Sequence, residues 1–242
     1  MPKKTVSDNQ SRPLTRNYIL NNLPKEDFER LSPELEFLDM PHGKVLYRPE
    51  QLIDYVYFPN TSMVSIVNMT QQGQSVEAGT IGWEGMAGFN VLMGVDSMPN
   101  ENVVQLSGDG LRMSTQVIKQ EFQKNGAFKD LILHFIHALM VQMGQTSLCN
   151  RLHSNEERLS RWLLISHDRA ASDELELTQE FLGVMLGSNR ATVTLSAIAL
   201  QSAGFIKYSR GRIKIIDRKG LENFTCDCYQ AVKNEYNRMQ KK

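Results

Sequence analysis

LTQEFLGVMLGSNRATVTLSAIALQSAGFIKYSRGRIKI, residues Leu177 to Ile215, holds two short helical patterns followed by two alternating runs around a glycine turn. Thr178 can cap the first helix, with Gln179 in its opening turn, and the apolar positions Phe181, Leu182, Met185 and Leu186 recur at helical spacing. Gly187 stops that helix, because glycine takes the left-handed backbone of a helix exit without steric cost. Ser188 and Asn189 offer side-chain oxygens to cap a second helix, for which Val193, Ala197, Ile198 and Leu200 supply an apolar face as far as Ala203 and Gly204. Two helices joined by three residues, glycine first, make a helix-turn-helix.

The next residues add a wing. Phe205, Ile206 and Tyr208 read as one strand and Ile213, Ile215 and Ile216 as the next, with Ser209, Arg210 and Gly211 as the turn. Lys207, Arg210, Arg212 and Lys214 on this hairpin, with Arg190 at the start of the second helix, place five cations in a window that has no Asp or Glu from Phe181 to Ile216. A merely solvated surface mixes both signs. The pattern points to double-stranded DNA, with the wing and helix termini on phosphates and Arg190, Ala191, Thr192 and Thr194 facing base edges. Arg190 can fork onto a guanine, and Ala191 or a threonine methyl can meet a thymine methyl.

Several further segments carry a resemblance in the same order along the chain: VLYRPE (45–50), VYFPNTSMVSIV (56–67), GTIGWEGMAG (79–88), HSNEERLSRWLL (153–164) and GLENFTCDCYQAVKNEY (220–236). Together with the 177–215 block they resemble the Crp/Fnr family of bacterial transcription regulators, over roughly residues 17 to 240. The resemblance implies an N-terminal eight-stranded β-roll like a cyclic-nucleotide-binding domain that holds a small effector. It also implies a homodimer on promoter DNA and contact with RNA polymerase. In that family the second helix often carries Arg, then Glu, then a further Arg one turn on; here Ala191 follows Arg190 and Leu195 stands at the later position, so the preferred base sequence departs from the common one.

Composition fits two domains. The chain has 242 residues and a formal net charge of zero, but residues 1 to 150 carry 12 Lys and Arg against 16 Asp and Glu, and residues 151 to 242 carry 15 against 11. The basic surplus lies with the helix-turn-helix. No apolar run approaches the ~20 residues of a membrane span and the N-terminus lacks a secretory core, which predicts a cytoplasmic protein with no membrane partner. Residues 1–16 read as a disordered tail. Residues 17–126 read as a roll of short strands (Lys44 to Tyr47, Tyr55 to Phe58, Met63 to Met69, Ser75 to Ile81, Val103 to Leu106), with Gly108, Asp109 and Gly110 as a hairpin tip. Residues 127–153 form a long helix, apolar most of the way round, whose surplus predicts a dimer seam including Leu139. Residues 154–242, opened by the capping-box pair Ser154 and Glu157, complete an α+β chain.

Gly82, Glu84, Gly85 and Met86, with Asn100 and Asn102, are the effector-pocket candidates, although Gly82, Gly85 and Gly88 can equally serve tight turns alone. Cyclic AMP is disfavoured. Relatives that bind it hold the phosphate with an Arg and a Ser or Thr about ten residues after a Gly-Glu turn, whereas Gly94 to Val104 contains no Arg or Lys. An iron-sulfur cluster is disfavoured because the first cysteine is Cys149. Cys226 and Cys228 lie two apart on an expected helix and so should point apart as free thiols, unable to chelate one metal without unwinding it, leaving redox or metal sensing as the minority reading. His134 and His137, three apart, can share a helix face for a metal, or simply pack. A cupin-like metal-dependent enzyme is the alternative function. The roll offers only His42 as an imidazole ligand, and the chain has no GxxxxGK, HExxH or nucleophile elbow, so catalysis is not expected.

Overall fold

The computed structural model describes residues 15–170, 172–177, 179–209 and 211–241. The chain divides into two compact units, one comprising the described residues up to Ser65 together with Thr80–His137, the other Ile66–Gly79 with Ala138–Lys242.

The first unit opens with α1 (Tyr18–Asn21) and α2 (Lys25–Leu31). Thr15 and Arg16, expected in a disordered tail, are held by Asn60: the Thr15 hydroxyl donates to its Oδ1 at 2.8 Å and the Arg16 N–H at 3.2 Å. The roll follows as β1 (Glu36–Met40), β2 (Val45–Tyr47), β3 (Tyr55–Pro59), β4 (Met63–Met69), β5 (Ser75–Ile81), β6 (Glu101–Leu106) and β7 (Gly108–Ser114). These form two antiparallel sheets, ordered β1-β7-β3 and β2-β6-β4-β5. Among the described residues the roll thus has seven strands, not the eight implied by the resemblance.

Gly108, Asp109 and Gly110 are not a hairpin tip. They lie in β7, opposite Met40, Asp39 and Leu38 of β1. Their glycines answer a packing need: a Cβ on Gly108 would sit 2.5 Å from the Ser62 nitrogen, and one on Gly110 would sit 2.8 Å from the Phe58 carbonyl oxygen. Two glycines in a strand therefore mark close backbone approach here, the other meaning that strand glycine can have. At the far end of the same pairing Glu36 opposes Arg112, which it binds at 2.8 Å, and the Arg112 guanidinium lies 4.2 Å from the centre of the Tyr55 ring.

After α3 (Thr115–Gln123), α4 (Ala127–Leu152) runs 26 residues and passes through the boundary between the units. Phe128, Ile132, Phe135, Ala138 and Leu139 are buried at helical spacing. Leu139, expected on an exposed seam, is only 1% exposed, and the outward position is its neighbour Met140 at 67%. A residue one step along a helix is rotated by about 100°. Leu133, Leu148 and Leu152 are also exposed on α4.

In the second unit, the Ser154–Glu157 capping box forms and starts α5 (Asn155–Arg169), whose Leu159, Trp162, Leu163 and Ile165 are buried. The β4–β5 hairpin tip, residues 66–79, groups with this unit, and Trp162 donates its indole N–H to buried Glu77 at 2.9 Å. Then come β8 (Glu174–Glu176), α6 (Gln179–Leu186), α7 (Arg190–Ser202), β9 (Ile206–Ser209), β10 (Arg212–Ile215), α8 (Arg218–Phe224) and α9 (Asp227–Gln240). Cys226 is the N-cap of α9 and not a residue inside a helix, with extended backbone (φ −67°, ψ 161°). Cys226 and Cys228 therefore do not diverge: both are buried in one cluster with Cys149. Among the described residues no helix is long and apolar enough to cross a membrane.

Candidate nucleic-acid interface

The helix-turn-helix is built by local bonds at its turn. Gly187 takes φ 56°, and the N–H of Ser188 returns to the Gly183 carbonyl at 2.9 Å. Gly183 permits this, since a Cβ there would lie 3.0 Å from the Ser188 oxygen. Asn189 caps α7, its Oδ1 accepting the Thr192 N–H at 2.9 Å and the Thr192 hydroxyl at 3.0 Å. Such a cap stabilises a helix start by about 1 kcal/mol. Ser188, the other cap candidate, instead donates to Asn155 Oδ1 at 2.7 Å.

Helix α5 holds both helices of the motif. Arg158 is buried, donates to the Leu186 carbonyl at the end of α6, and reaches Asn155 at 3.2 Å; burial holds its pKa below the usual arginine range. A cation on the last carbonyls of a helix also complements the helix dipole. Glu156 accepts the hydroxyl of buried Ser196 on α7 at 2.7 Å. These positioning residues were not singled out from the sequence; charged side chains on the inward face of an amphipathic helix were the signal available.

Helix α7 buries Val193, Ser196, Ala197 and Leu200 and turns Arg190, Ala191, Leu195 and Ile198 outward. Ile198, expected on the inward face, is 53% exposed, because the buried set 193, 197, 200 leaves position 198 a third of a turn away. Leu195 is 67% exposed. Thr192 and Thr194 are half-buried, and the Thr194 hydroxyl donates to the Arg190 carbonyl at 2.9 Å. Arg190 and Ser188 also border a hollow lined by Thr70, Gln74 and Val76 of the hairpin tip.

The wing packs on α7 through Gln201, whose Oε1 accepts the Tyr208 N–H at 2.7 Å. Ile206, Ile213 and Ile215 face inward, while Lys207, Arg212 and Lys214 face out and line one shallow groove. The window without acids does not make an acid-free surface. Strand β8 pairs with β10 from outside that window, setting Glu174 and Glu176 3.3 and 3.2 Å from Arg212. Nearby, a hydrogen bond from His167 at 2.7 Å lowers the Asp173 pKa, with smaller help from Lys214 and Arg218. Thr178 and Arg210 lie outside the described residues, and Gln179 opens α6.

The effector candidates lie in the first unit. The Gly82 N–H donates to Glu84 Oε1 at 3.0 Å, Glu84 and Met86 are buried, and a Cβ on Gly85 would sit 2.0 Å from Phe135 Cε2. The Gly85 carbonyl accepts from Asn17 Nδ2 at 2.8 Å. Gly88 has φ 87°. Asn100 and Asn102 are buried and bonded to each other at 3.3 Å. On α4, His134 is half-buried and His137 exposed; the group of metal-ligating type found among the described residues is elsewhere.

Residues 157–224 match the family of Crp-like helix-turn-helix domains. No curated protein matches the sequence. Among solved structures, FixK2 from Bradyrhizobium japonicum is 14% identical with a TM-score of 0.63, covering 79% of this chain and 98% of its own. A CRP-family transcriptional regulator from Thermus thermophilus is 14% identical with a TM-score of 0.63, covering 77% and 95%. The c-di-GMP responsive global regulator CLP from Xanthomonas campestris is 13% identical with a TM-score of 0.60, covering 79% and 99%. The chain thus carries a Crp-like helix-turn-helix domain on the fold of the Crp/Fnr transcription regulators.

Proposed function

We propose that the protein is a sequence-specific transcription regulator that binds promoter DNA as a cytoplasmic homodimer, under control of a signal read by the roll, and that it is a binder without catalytic activity. The observation that carries this reading is the outward face of α7, where Arg190 and Ala191 stand beside the exposed apolar side chains Leu195 and Ile198. An isolated helix face gains nothing from exposing Leu and Ile to water. Against a major groove the same side chains meet thymine methyls, and Arg190 supplies a forked donor for guanine. Lys207 and Lys214 on the wing add charge for phosphates. The homodimer rests on the exposed Leu133, Met140 and Leu148 of α4. RNA polymerase is the further partner. The effector is a small molecule other than cyclic AMP, because Gly94 to Val104 offers no cation for its phosphate.

Selection from a random duplex pool tests this. The full chain should enrich a two-fold symmetric site with half-sites one helical turn apart, as a dimeric helix-turn-helix requires. An Arg190→Ala/Leu195→Ala double variant should enrich nothing. No enrichment by the wild type, or the same site recovered by the variant, would rule the reading out.

A further inference from the structure

We propose that Cys149, His153, Cys226 and Cys228 form a structural zinc site that staples the end of α4 to the start of α9. Their ligand atoms all lie within 4.8 Å of one another. Cys149 Sγ is 3.5 Å from Cys226 Sγ, and Cys228 Sγ is 3.5 Å from His153 Nδ1. A tetrahedron of ~2.3 Å zinc–sulfur bonds has edges of about 3.8 Å, so these atoms already stand near the corners of one. The sulfurs are too far apart for a disulfide, whose bond is about 2.05 Å, and all three cysteines are free and buried.

The chain builds the cluster from two ends. Cys149 and His153 are four apart, one above the other where α4 stops, and the His153 N–H still reaches the Cys149 carbonyl at 3.2 Å. Cys226, as the extended N-cap of α9, and Cys228, in its first turn, approach from 77 residues further on. The whole helix-turn-helix and wing lie between the two pairs in the chain. Asp227 Oδ1 stands 3.8 Å from His153 Nε2, on the side of the ring away from the sulfurs, where an outer carboxylate fixes an imidazole for metal binding.

A second observation is electrostatic. Arg161 of α5 is buried; its Nη1 donates to the Thr146 hydroxyl at 3.3 Å and its Nε has no hydrogen-bond partner. A buried guanidinium covered this thinly needs an anion. The charge of Arg161 acts on both Cys149 and Cys228. With Zn²⁺ bound all three sulfurs would be thiolates, any thiol protons passing to solvent, leaving a centre of one divalent cation, three thiolates and a neutral imidazole. Its net charge of −1 balances Arg161. Three thiolates and one imidazole select zinc among the common divalent ions, and four protein ligands leave no open position, which makes the site structural and not catalytic.

The test uses the full-length reduced protein, stripped of metal by chelation under reductant and titrated with Co²⁺ and then Zn²⁺. The expected result is one Co²⁺ per chain with the intense visible bands of a tetrahedral thiolate site, displaced by one Zn²⁺, and a higher thermal midpoint with zinc bound. Cys226→Ser and His153→Gln should each weaken cobalt binding at least about 10-fold. The wild-type titration does not depend on the variants folding. A pale octahedral spectrum, wild-type affinity in folded Cys226→Ser protein, or a Cys149–Cys226 disulfide in protein purified under anaerobic reducing conditions would each overturn the proposal.

Discussion

The start of α7 and the Gly82–Gly88 turn use the same materials, a glycine backbone and short polar side chains, to opposite ends. At α7 the cap closes locally, Asn189 accepting from the Thr192 N–H and hydroxyl, and Arg190, Ala191 and Leu195 remain outside. At the Gly82–Gly88 turn the packing closes from beyond: Phe135 covers Gly85, Asn17 binds its carbonyl, and Glu84 is buried in a bond to Gly82. A helix cap is complete within four residues and leaves its outer face open. A tight turn in a roll is held by whatever packs on it, and glycine there serves closeness.

Adjacent residues on α4 give the largest effect by which to break that contrast between open and filled positions. Met140→Glu should weaken dimerisation by at least about 3 kcal/mol, a hundredfold or more, by burying an unpaired charge in the seam, while the monomer keeps its fold. Leu139→Glu should unfold the chain instead, because Leu139 is core. Sedimentation with circular dichroism separates them, and a fully dimeric Met140→Glu protein would remove α4 as the seam. Next, Gly85→Ala should destabilise the roll by about 1–3 kcal/mol through overpacking against Phe135. An unchanged urea midpoint would show that the ring can retreat and that the turn is open after all.

Smaller effects sharpen the wing. Since Glu174 and Glu176 already pair with Arg212, the Arg212→Ala change should weaken specific and random duplexes alike and shift the salt slope by less than about 1. Replacing both glutamates by glutamine should instead tighten binding to any duplex at low salt. The smallest effect concerns the capping box. Hydrogen bonds from the Ser154 backbone and hydroxyl lower the Glu157 pKa, so its ionised form stabilises the folded state. That contribution is complete above the ordinary Glu value of about 4.3 and is lost as pH falls through the depressed one. Glu157→Gln should therefore cost about 0.5 kcal/mol or less at pH 7, as exposed charges do, and nothing at the acid end. Melting curves at both pH values check it.

What was legible from sequence was whatever local chemistry controls. The Gly187 exit, the Asn189 cap, the Ser154–Glu157 box and the 205–216 hairpin each need only neighbours within a few residues. What was not legible depends on partners far along the chain. Gly108 and Gly110 look like a turn until β1 and the Thr61–Ser62 backbone press against them. Arg212 looks unpaired until β8 arrives beside it. Cys226 and Cys228 look divergent because a one-residue error in where α9 begins changes the direction of the first thiol. Ile198 was expected on the inward face for a related reason: an apolar side chain on a helix reads as core until the buried face is known.

The central claim is that the outward face of α7 reads base sequence. The most direct measurement is the affinity of wild type and Arg190→Ala for a selected duplex and for its scrambled counterpart, at one fixed salt concentration. The account predicts that Arg190→Ala loses about 1–3 kcal/mol on the selected duplex, relaxes preference at one base position, and changes little on the scrambled one. Equal losses on both duplexes would show that Arg190 meets only phosphate, and would contradict the claim.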